Sequence, residues 1–405
     1  MKKVRIDWNR TDGAWKTTHN AIVETADTKV LPAMTPAAIL RCNVEVDRPE
    51  SGLAFLKEAG AYADALLINL TGGHTTTDAY EKKVLPILKE AVLCPNLTYV
   101  EVDGDGVDAD AYYACYRGAY HALAKLDRPL KLGGNGVHQL LNHADSWLFF
   151  LQHLAEDTDP LKRIDFYVYR DALEDYSVRI WLMHEAHIAW LKEYGLPTLP
   201  IFIDGLVLTP KEQLTGAPEE ALRNAASMIT AVIAATEWQE FKLFLKSVCD
   251  EVPAYSQLDG DLQPTANGHA VTCLSKLSGE RLVCDIIEES WPPQKDIVAT
   301  KKDGALSVLI CNPTDEPTYI KFTVADIPYA KLRVHQYLVD DRHNAGGKPL
   351  TLTDGRIQSP TKIKNSENVE MLGGQDTREE LDGTITVEAN LREHAFCLYT
   401  FEEYK

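Results

Sequence analysis

Residues 96–138 read NLTYVEVDGDGVDADAYYACYRGAYHALAKLDRPLKLGGNGVH and decide the expected fold. The segment LTYVEV (97–102) is a short apolar, β-branched run that predicts a buried strand, and DGDG follows it as a turn. Apolar residues then recur at helical spacing over 108–125, with Asp108 and Asp110 suited to the first turn of a helix. LKLGG (130–134) predicts a second strand. The stretch is therefore a β–turn–α–β unit with acidic residues where α/β enzymes hold their chemistry.

Strand and helix patterns alternate on both sides of this unit. From Ala37 onward there are seven strand candidates, at 37–46, 63–73, 97–102, 130–134, 164–170, 199–205 and 240–248. Such alternation predicts a parallel sheet, and we expect a (β/α)8 TIM-type barrel, complete or reduced in strand number, over residues 37–280. An eighth strand is expected between Arg41 and Ala65. A doubly wound dinucleotide-binding sheet is disfavoured because no GxGxxG motif opens the first unit.

The pattern changes after about Arg281. Residues 281–405 contain short alternating strands separated by DG, NP and DEP turns, and helical periodicity is absent from them. This pattern predicts an all-β sandwich as an accessory domain. Residues 1–36 contain two early strand patterns, VRIDW and AIVET, that fit the barrel alternation poorly. We therefore expect these N-terminal strands to join the sandwich.

Composition and charge exclude several functions. The chain has 405 residues, 45% hydrophobic and 25% charged, with a formal charge of −19 at pH 7. Nucleic acid is not an expected partner, because binding a phosphate backbone requires a basic face. There is no signal-peptide pattern and no apolar run of membrane-spanning length, so we expect a cytoplasmic protein without a membrane partner. The eight cysteines form no CxxC motif and predict free thiols. The sequence leaves open whether a homo-oligomer forms.

Several stretches resemble glycoside hydrolase family 39, the β-xylosidase and α-L-iduronidase relatives of clan A. KKDGALSVLICNPTDEP (301–317) and LRVHQYLVDDRHNAGG (332–347) are similar to the accessory sandwich of that family. LKLGGNG (130–136) is similar to its fifth-strand segment, and IDFYVYR (164–170) to its sixth strand. The resemblance implies a barrel with a sandwich and a cofactor-free glycosidase. The implied substrate is a glycoside or a short plant-type oligosaccharide.

The resemblance also implies where the catalytic residues lie. The family carries its acid/base glutamate after strand four in an Asn-Glu-Pro motif and its nucleophile glutamate at the end of strand seven. Here Asp105 stands at the first place, within Gly104-Asp105-Gly106, and Asp204 stands at or one position before the second, within PIFIDGLV. Both glutamates are replaced. The alternative is a catalytically inactive relative that binds a glycan or serves as an assembly module.

The chemistry of glycoside hydrolysis is compatible with an aspartate pair. Two carboxyl groups must flank the bond, roughly 5–5.5 Å apart for retention and roughly 6.5–9.5 Å for inversion. Aspartate withdraws each carboxyl by about 1.5 Å relative to glutamate, which leaves room for a water molecule. The alternative for Asp105 is a solvated turn. Glu101 and Asp103 are further candidates, since strand alternation places both on one face with Asp105.

Other side chains are candidates for binding the sugar. Asn135 and His138 follow the fifth strand and are able to hydrogen-bond to sugar hydroxyls. Tyr167 and Tyr169 share one face of the sixth strand, where they either orient a catalytic carboxylate or pack in the core. The HEAH sequence (184–187) does not have the spacing of a zinc-binding HExxH motif, so no metal site is expected.

Overall fold

The computed structural model describes residues 2–15, 20–23, 26–104, 107–138, 144–172, 176–207, 218–236, 241–245, 248, 256–287, 296–329, 332–341, 362–365, 370–371 and 383–403. Internal contacts divide the chain into two compact units. The barrel unit comprises residues 18–210 and 238–251. The sheet unit comprises residues 1–17, 211–237 and 252–405.

Eight parallel strands form a closed barrel. Strands are numbered in chain order, and β1 (Lys2–Ala14) belongs to the sheet unit. The barrel strands are β2 (Asn20–Val23), β3 (Ala37–Glu45), β4 (Ala63–Thr71), β5 (Leu97–Val102), β6 (Lys131–His138), β7 (Phe166–Ala172), β8 (Ile201–Val207) and β9 (Phe241–Leu245). Pairing of β2 with both β3 and β9 closes the ring. The predicted (β/α)8 TIM-type barrel is confirmed, and it has its full number of strands.

Helices follow the barrel strands as the sequence periodicity indicates. They are α1 (Glu50–Ala59), α2 (Thr77–Ala91), α3 (Ala109–Leu123), α4 (Ala144–Glu156), α5 (Tyr176–Glu193), α6 (Pro218–Ala235) and α7 (Ala266–Lys276), with 3-10 helices at Thr28–Ala33 and Gly60–Tyr62. At the start of α3, the Asp108 carboxylate accepts a hydrogen bond from the Ala111 amide at 3.0 Å. This N-cap satisfies an amide that has no partner within the helix. Among the described residues, no helix combines the length and apolar character of a membrane span.

The eighth barrel strand is β2, and not a segment between Arg41 and Ala65. Residues 50–62 there form α1 and a 3-10 helix, whose apolar side chains Leu53, Phe55 and Leu56 are buried. The first 36 residues therefore divide, because β1 pairs with strands of the sheet unit and β2 pairs with β3. A strand of four residues is too short to show an alternation pattern, and all four of its residues are buried.

The sheet unit contains one ten-stranded mixed sheet. Its other strands are β10 (Glu280–Ile286), β11 (Ile297–Lys302), β12 (Ala305–Cys311), β13 (Thr318–Ala325), β14 (Leu332–Val339), β15 (Lys362–Asn365), β16 (Glu370–Met371), β17 (Ile385–Leu391) and β18 (Phe396–Glu403). The strand order is β14-β18-β12-β11-β10-β1-β13-β17-β15-β16. Phe322 of β13 and Tyr399 of β18 have ring centroids 5.7 Å apart although four strands separate them in the sheet. The sheet therefore curls over a single apolar core, as the predicted sandwich requires.

Helices α6 and α7 pack within the sheet unit. The Thr230 hydroxyl of α6 lies 3.3 Å from the Cys311 sulfur of β12. Arg223 of α6 forms an ion pair with Asp315 at 2.8 Å. The seven cysteines among the described residues are free thiols, and burial raises the pKa of Cys311 to about 12.

Candidate functional site in the barrel interior

Side chains inside the barrel change from apolar to charged along the strands. The apolar layer consists of Ile22, Ile39, Leu67, Phe166, Val168, Phe202 and Phe244. Two residues further along β3, β7 and β8 are Arg41, Arg170 and Asp204. Residues two apart on a strand share a face, so these charged side chains also point into the barrel. The charged layer thus lies toward the carboxyl ends of the strands, the edge at which barrel enzymes carry their active sites.

Arg41 links carboxylates from the fourth and seventh strands of the barrel. Its Nε donates to Oε2 of Glu101 at 2.9 Å, and its Nη1 lies 2.9 Å from Oδ2 of Asp204. A guanidinium presents donors in a fixed planar fork, so one side chain holds both carboxylates at defined positions. Arg41 therefore couples β3 to β5 and β8.

Arg170 contacts three carboxylates. Its Nη1 lies 2.7 Å from Oδ1 of Asp103, its Nη2 lies 3.3 Å from Oε1 of Glu101, and its Nε lies 3.3 Å from Oδ2 of Asp204. Arg41, Glu101, Asp103, Arg170 and Asp204 are called the arginine–carboxylate cluster below. Both guanidiniums contact the same oxygen of Asp204, which fixes the orientation of that carboxylate.

The cluster is deeply buried. The side chain of Glu101 is 1% exposed and that of Asp204 is 7% exposed, whereas Asp103 is 17% exposed. Burial raises the pKa of Glu101, and the guanidiniums of Arg41 and Arg170 oppose that rise. Burial alone would lower the pKa of each arginine, but the neighbouring carboxylates outweigh it and the pKa of both is raised. Both arginines are therefore charged, while Glu101 is the carboxyl most inclined to hold a proton.

The predicted catalytic pair is described for one member. Asp204 lies in the cluster on β8. Asp105 lies outside the described residues, directly after Gly104. Asp103 of the same loop accepts at its carbonyl a hydrogen bond from Nε2 of His74 at 2.9 Å. The structure thus brings Glu101, Asp103 and Asp204 together around the two arginines.

Asn135 and Gly104 are in close contact near this layer. Asn135 is buried, and its Nδ2 donates to the carbonyl of Ser146 at 3.5 Å. A Cβ atom placed on Gly104 would lie 2.4 Å from Oδ1 of Asn135, closer than real Cβ contacts allow. Glycine at 104 therefore lets the β5 loop pass beside Asn135. The side chain of His138 lies outside the described residues.

Tyr167 and Tyr169 lie on the helix side of β7 and not inside the barrel. Their ring centroids are 5.5 and 4.8 Å from that of Trp147 on α4. The Tyr169 hydroxyl hydrogen-bonds to Nδ1 of His187 on α5, and both residues are fully buried. Strand alternation explains this, because Arg170 takes the interior face and its odd-numbered neighbours take the other. Of the two roles considered for these tyrosines, the structure places them in packing.

Arg41 and Arg170 were not among the predicted site residues. Each occurs in a strand that is otherwise mostly apolar, AAILRCNVE and FYVYRDA. A buried arginine in an apolar strand indicates a buried acidic partner, because an unpaired charge is costly to bury. That signal identifies the arginines but not their partners. Among the described residues there is no group of three or more His, Cys, Asp or Glu side chains arranged to hold a metal ion.

The comparisons with known proteins identify the fold. No protein-family model and no curated protein matches the chain. A glucosidase from Croceicoccus marinus is similar in structure, with a TM-score of 0.75, 14% identity and full coverage of both chains. A GH39 β-xylosidase from Caulobacter crescentus has a TM-score of 0.66 and 14% identity, covering 99% of this chain and 100% of that one. A bacterial orthologue of human α-L-iduronidase has a TM-score of 0.71 and 12% identity, covering 100% and 84%.

Proposed function

We propose that this chain is a glycoside hydrolase-like protein that acts on short plant-type oligosaccharides through Asp105 and Asp204. The observation that carries the proposal is the position of Asp204, toward the carboxyl end of the seventh barrel strand and in contact with Arg41 and Arg170. A carboxylate fixed there by two guanidiniums is suited to act on a substrate bound at that edge. The similar folds of a glucosidase and a GH39 β-xylosidase support the same substrate class.

The two aspartates have different roles in this proposal. Asp204 is the nucleophile or the general base, since its negative charge is stabilised by both arginines. Asp105 is the general acid that protonates the leaving oxygen. Glu101 is a positioning residue, because its side chain is 1% exposed and its two oxygens face Arg41 and Arg170. The shorter aspartate side chains favour inversion, which needs the wider separation of carboxyl groups.

A second candidate is a catalytically inactive relative that binds a glycan or serves as an assembly module. The observation that favours it is the burial of Asp204, whose side chain is 7% exposed and whose Oδ2 is in contact with two guanidiniums. A carboxylate so engaged is held by the protein first and is available to a substrate only at its remaining edge. The two candidates share a glycan ligand and differ in turnover.

The test is hydrolysis of a panel of aryl glycosides and disaccharides by the native chain and by Asp105→Asn and Asp204→Asn. Asp64→Asn is the matched control, because Asp64 is exposed at the amino end of a barrel strand. We expect both site variants to lose turnover while folding normally and the control to retain it. The anomer released first, read by NMR, then distinguishes inversion from retention.

Two results would reject parts of the proposal. Turnover that survives both site substitutions would refute the aspartate pair and leave a different catalytic site to be found. A native chain that hydrolyses no member of the panel yet binds the sugars in calorimetry would establish the inactive relative.

A further inference from the structure

The sheet unit carries a groove of about 680 Å³ on the face opposite its apolar core. It is called the β14 groove here, and its lining includes Lys276, Thr300, Ser307, His335, Tyr337 and Thr400. Its volume is in the range of ligand-binding pockets in general. Every lining residue belongs to the sheet unit, so the groove is separate from the barrel interior.

Four polar side chains form a row across the floor of the groove. Strand pairing aligns Thr300 of β11 with Ser307 of β12, and Ser307 with Thr400 of β18. Thr400 in turn pairs with His335 of β14. Neighbouring strands are about 4.8 Å apart, so the row is about 14 Å long. Three hydroxyls and an imidazole at regular intervals present both donors and acceptors.

One atom of this row is buried and has no partner. Nδ1 of His335 makes no hydrogen bond within the part of the chain that the structure describes, and water does not reach it. A buried polar atom without a partner is uncommon in folded proteins and is typically explained by a bound group. By contrast, the Thr300 hydroxyl at the other end of the row accepts from the Ser278 amide at 3.3 Å. The unsatisfied end of the row therefore lies at β14.

Aromatic side chains stand at both ends of the groove. Tyr337 follows His335 on the same face of β14. Tyr329 borders the groove on the other side and also lines an adjoining groove of about 470 Å³ that contains Trp8. The rings of Trp8 and Tyr329 are perpendicular, with centroids 5.8 Å apart. The two grooves thus form an extended surface with aromatic rings along it, the kind on which sugar rings stack.

The charges around the groove are mixed. Lys276 and Lys302 face Asp303, Glu402 and Glu403 across it, so neither sign dominates. A polyanion gains little from such a lining, and a cation gains little either. Regularly spaced hydroxyls, aromatic rings and balanced charge together match an uncharged polyhydroxylated chain.

We propose that the β14 groove is a binding site for a neutral oligosaccharide, separate from the barrel. The ligand lies along the row from Thr300 to His335, exchanges hydrogen bonds with the hydroxyls and with Nδ1 of His335, and stacks one ring on Tyr337 or Tyr329. This site does not depend on the chemistry proposed for Asp105 and Asp204.

The test is calorimetric titration of the full chain with xylotetraose, cellotetraose and, as an anionic probe, trigalacturonate. We expect a neutral tetrasaccharide to bind more tightly than trigalacturonate. Tyr337→Ala and Thr400→Val should each weaken that binding about tenfold, as removal of a central contact typically does. Tyr319→Ala is the matched control, because Tyr319 is a partly buried tyrosine on β13 of the same sheet. It should bind as the native chain does.

A second measurement places the ligand. The imidazole resonances of His335, assigned by their loss in His335→Gln, should shift when the tetrasaccharide is added. Absence of binding to both neutral probes, tighter binding of trigalacturonate, or binding that leaves these resonances and the two groove variants unaffected would each overturn the proposal. Aryl glycoside turnover is measured on the same variants, and a groove variant that binds weakly yet turns over normally separates this site from the barrel.

Discussion

Arg41 and Glu101 lie on the second and fourth strands of the barrel, and Nε of Arg41 donates to Oε2 of Glu101 at 2.9 Å. Both side chains are almost completely buried, at 6% and 1% exposure. A buried ion pair of this kind contributes little over an apolar pair, but removal of one partner leaves an uncompensated charge in the interior. The pair is thus the point at which the barrel is most sensitive to a single charge removal.

The substitution Arg41→Met should therefore destabilise the protein by about 3–5 kcal/mol. The double variant Arg41→Met/Glu101→Leu should lose less than the sum of the two single variants, because it leaves Asp204 paired with Arg170. Urea unfolding measures each free energy. Lys57→Met is the control, since Lys57 pairs with Glu90 on the surface and such pairs contribute about 0–1 kcal/mol. Additive losses in the double variant would show that the two side chains are not coupled.

Arg170→Lys should lower the rate of glycoside hydrolysis, if the proposed function holds. A lysine keeps the charge but cannot contact Asp103, Glu101 and Asp204 together as the planar guanidinium does. Misplacement of a reacting carboxylate costs on the order of 100-fold, so we expect kcat to fall by about that factor and KM to change less. Arg163→Lys is the matched control, because Arg163 pairs with Asp165 next to the amino end of β7. Equal kcat values in the two variants would remove Arg170 from the site.

Gly104→Ala should disturb the loop that precedes Asp105. The new Cβ would lie 2.4 Å from Oδ1 of Asn135 and 3.0 Å from the ring of Tyr112, so the buried Asn135 must move. Overpacking of this kind costs about 1–3 kcal/mol, which thermal unfolding detects. Gly260→Ala is the control, because a Cβ there meets nothing within 4 Å. A Gly104→Ala variant as stable as the native chain would mean that the loop adjusts without cost.

Stability should fall with acid because of His187. Burial, with a smaller contribution from His184, lowers the pKa of His187 to about 3, whereas an unfolded histidine has a pKa near 6.5. Between these values the unfolded chain binds the extra proton, so stability is present above about pH 6.5 and is lost progressively as the pH falls toward 3. The expected loss from this residue between pH 7.5 and pH 5 is about 2 kcal/mol.

His187→Gln should flatten that pH dependence while lowering stability at neutral pH, since Tyr169 loses its imidazole partner. Denaturant unfolding at a series of pH values measures the slope. Met183→Ala provides the comparison, because Met183 is also fully buried on α5 but does not titrate. It should lower stability and keep the native slope. A His187→Gln variant with the native slope would show that other groups govern the acid sensitivity.

Much of the fold was predicted from local patterns. Alternating strand and helix periodicity predicted the parallel barrel, and period-two alternation after Arg281 predicted the sandwich. The strand β2 was misassigned because its four buried residues, Asn20 to Val23, show no alternation. Its partners, β3 and β9, are close to it only after the ring has closed.

The candidate site was predicted in part. Asp204 was selected because it follows the apolar run IFI, and it does lie among buried charges. Arg41 and Arg170 were missed because their partners are distant in the chain, 60 residues apart for Arg41 and Glu101. Tyr167 and Tyr169 were placed on one face by strand alternation. Only packing against Trp147 and His187 showed that this face is toward the helices.

The sequence by itself determined the periodicities, and with them the order of strands and helices, because those depend on neighbours within a few residues. It also determined which residue types were available to the barrel interior. Only the tertiary structure decided which charges meet, because closure of the barrel brings β3, β5, β7 and β8 to one interior layer. Two arginines there hold three carboxylates at 2.7–3.3 Å. Electrostatic energy depends on such distances and on burial, and neither quantity is encoded locally.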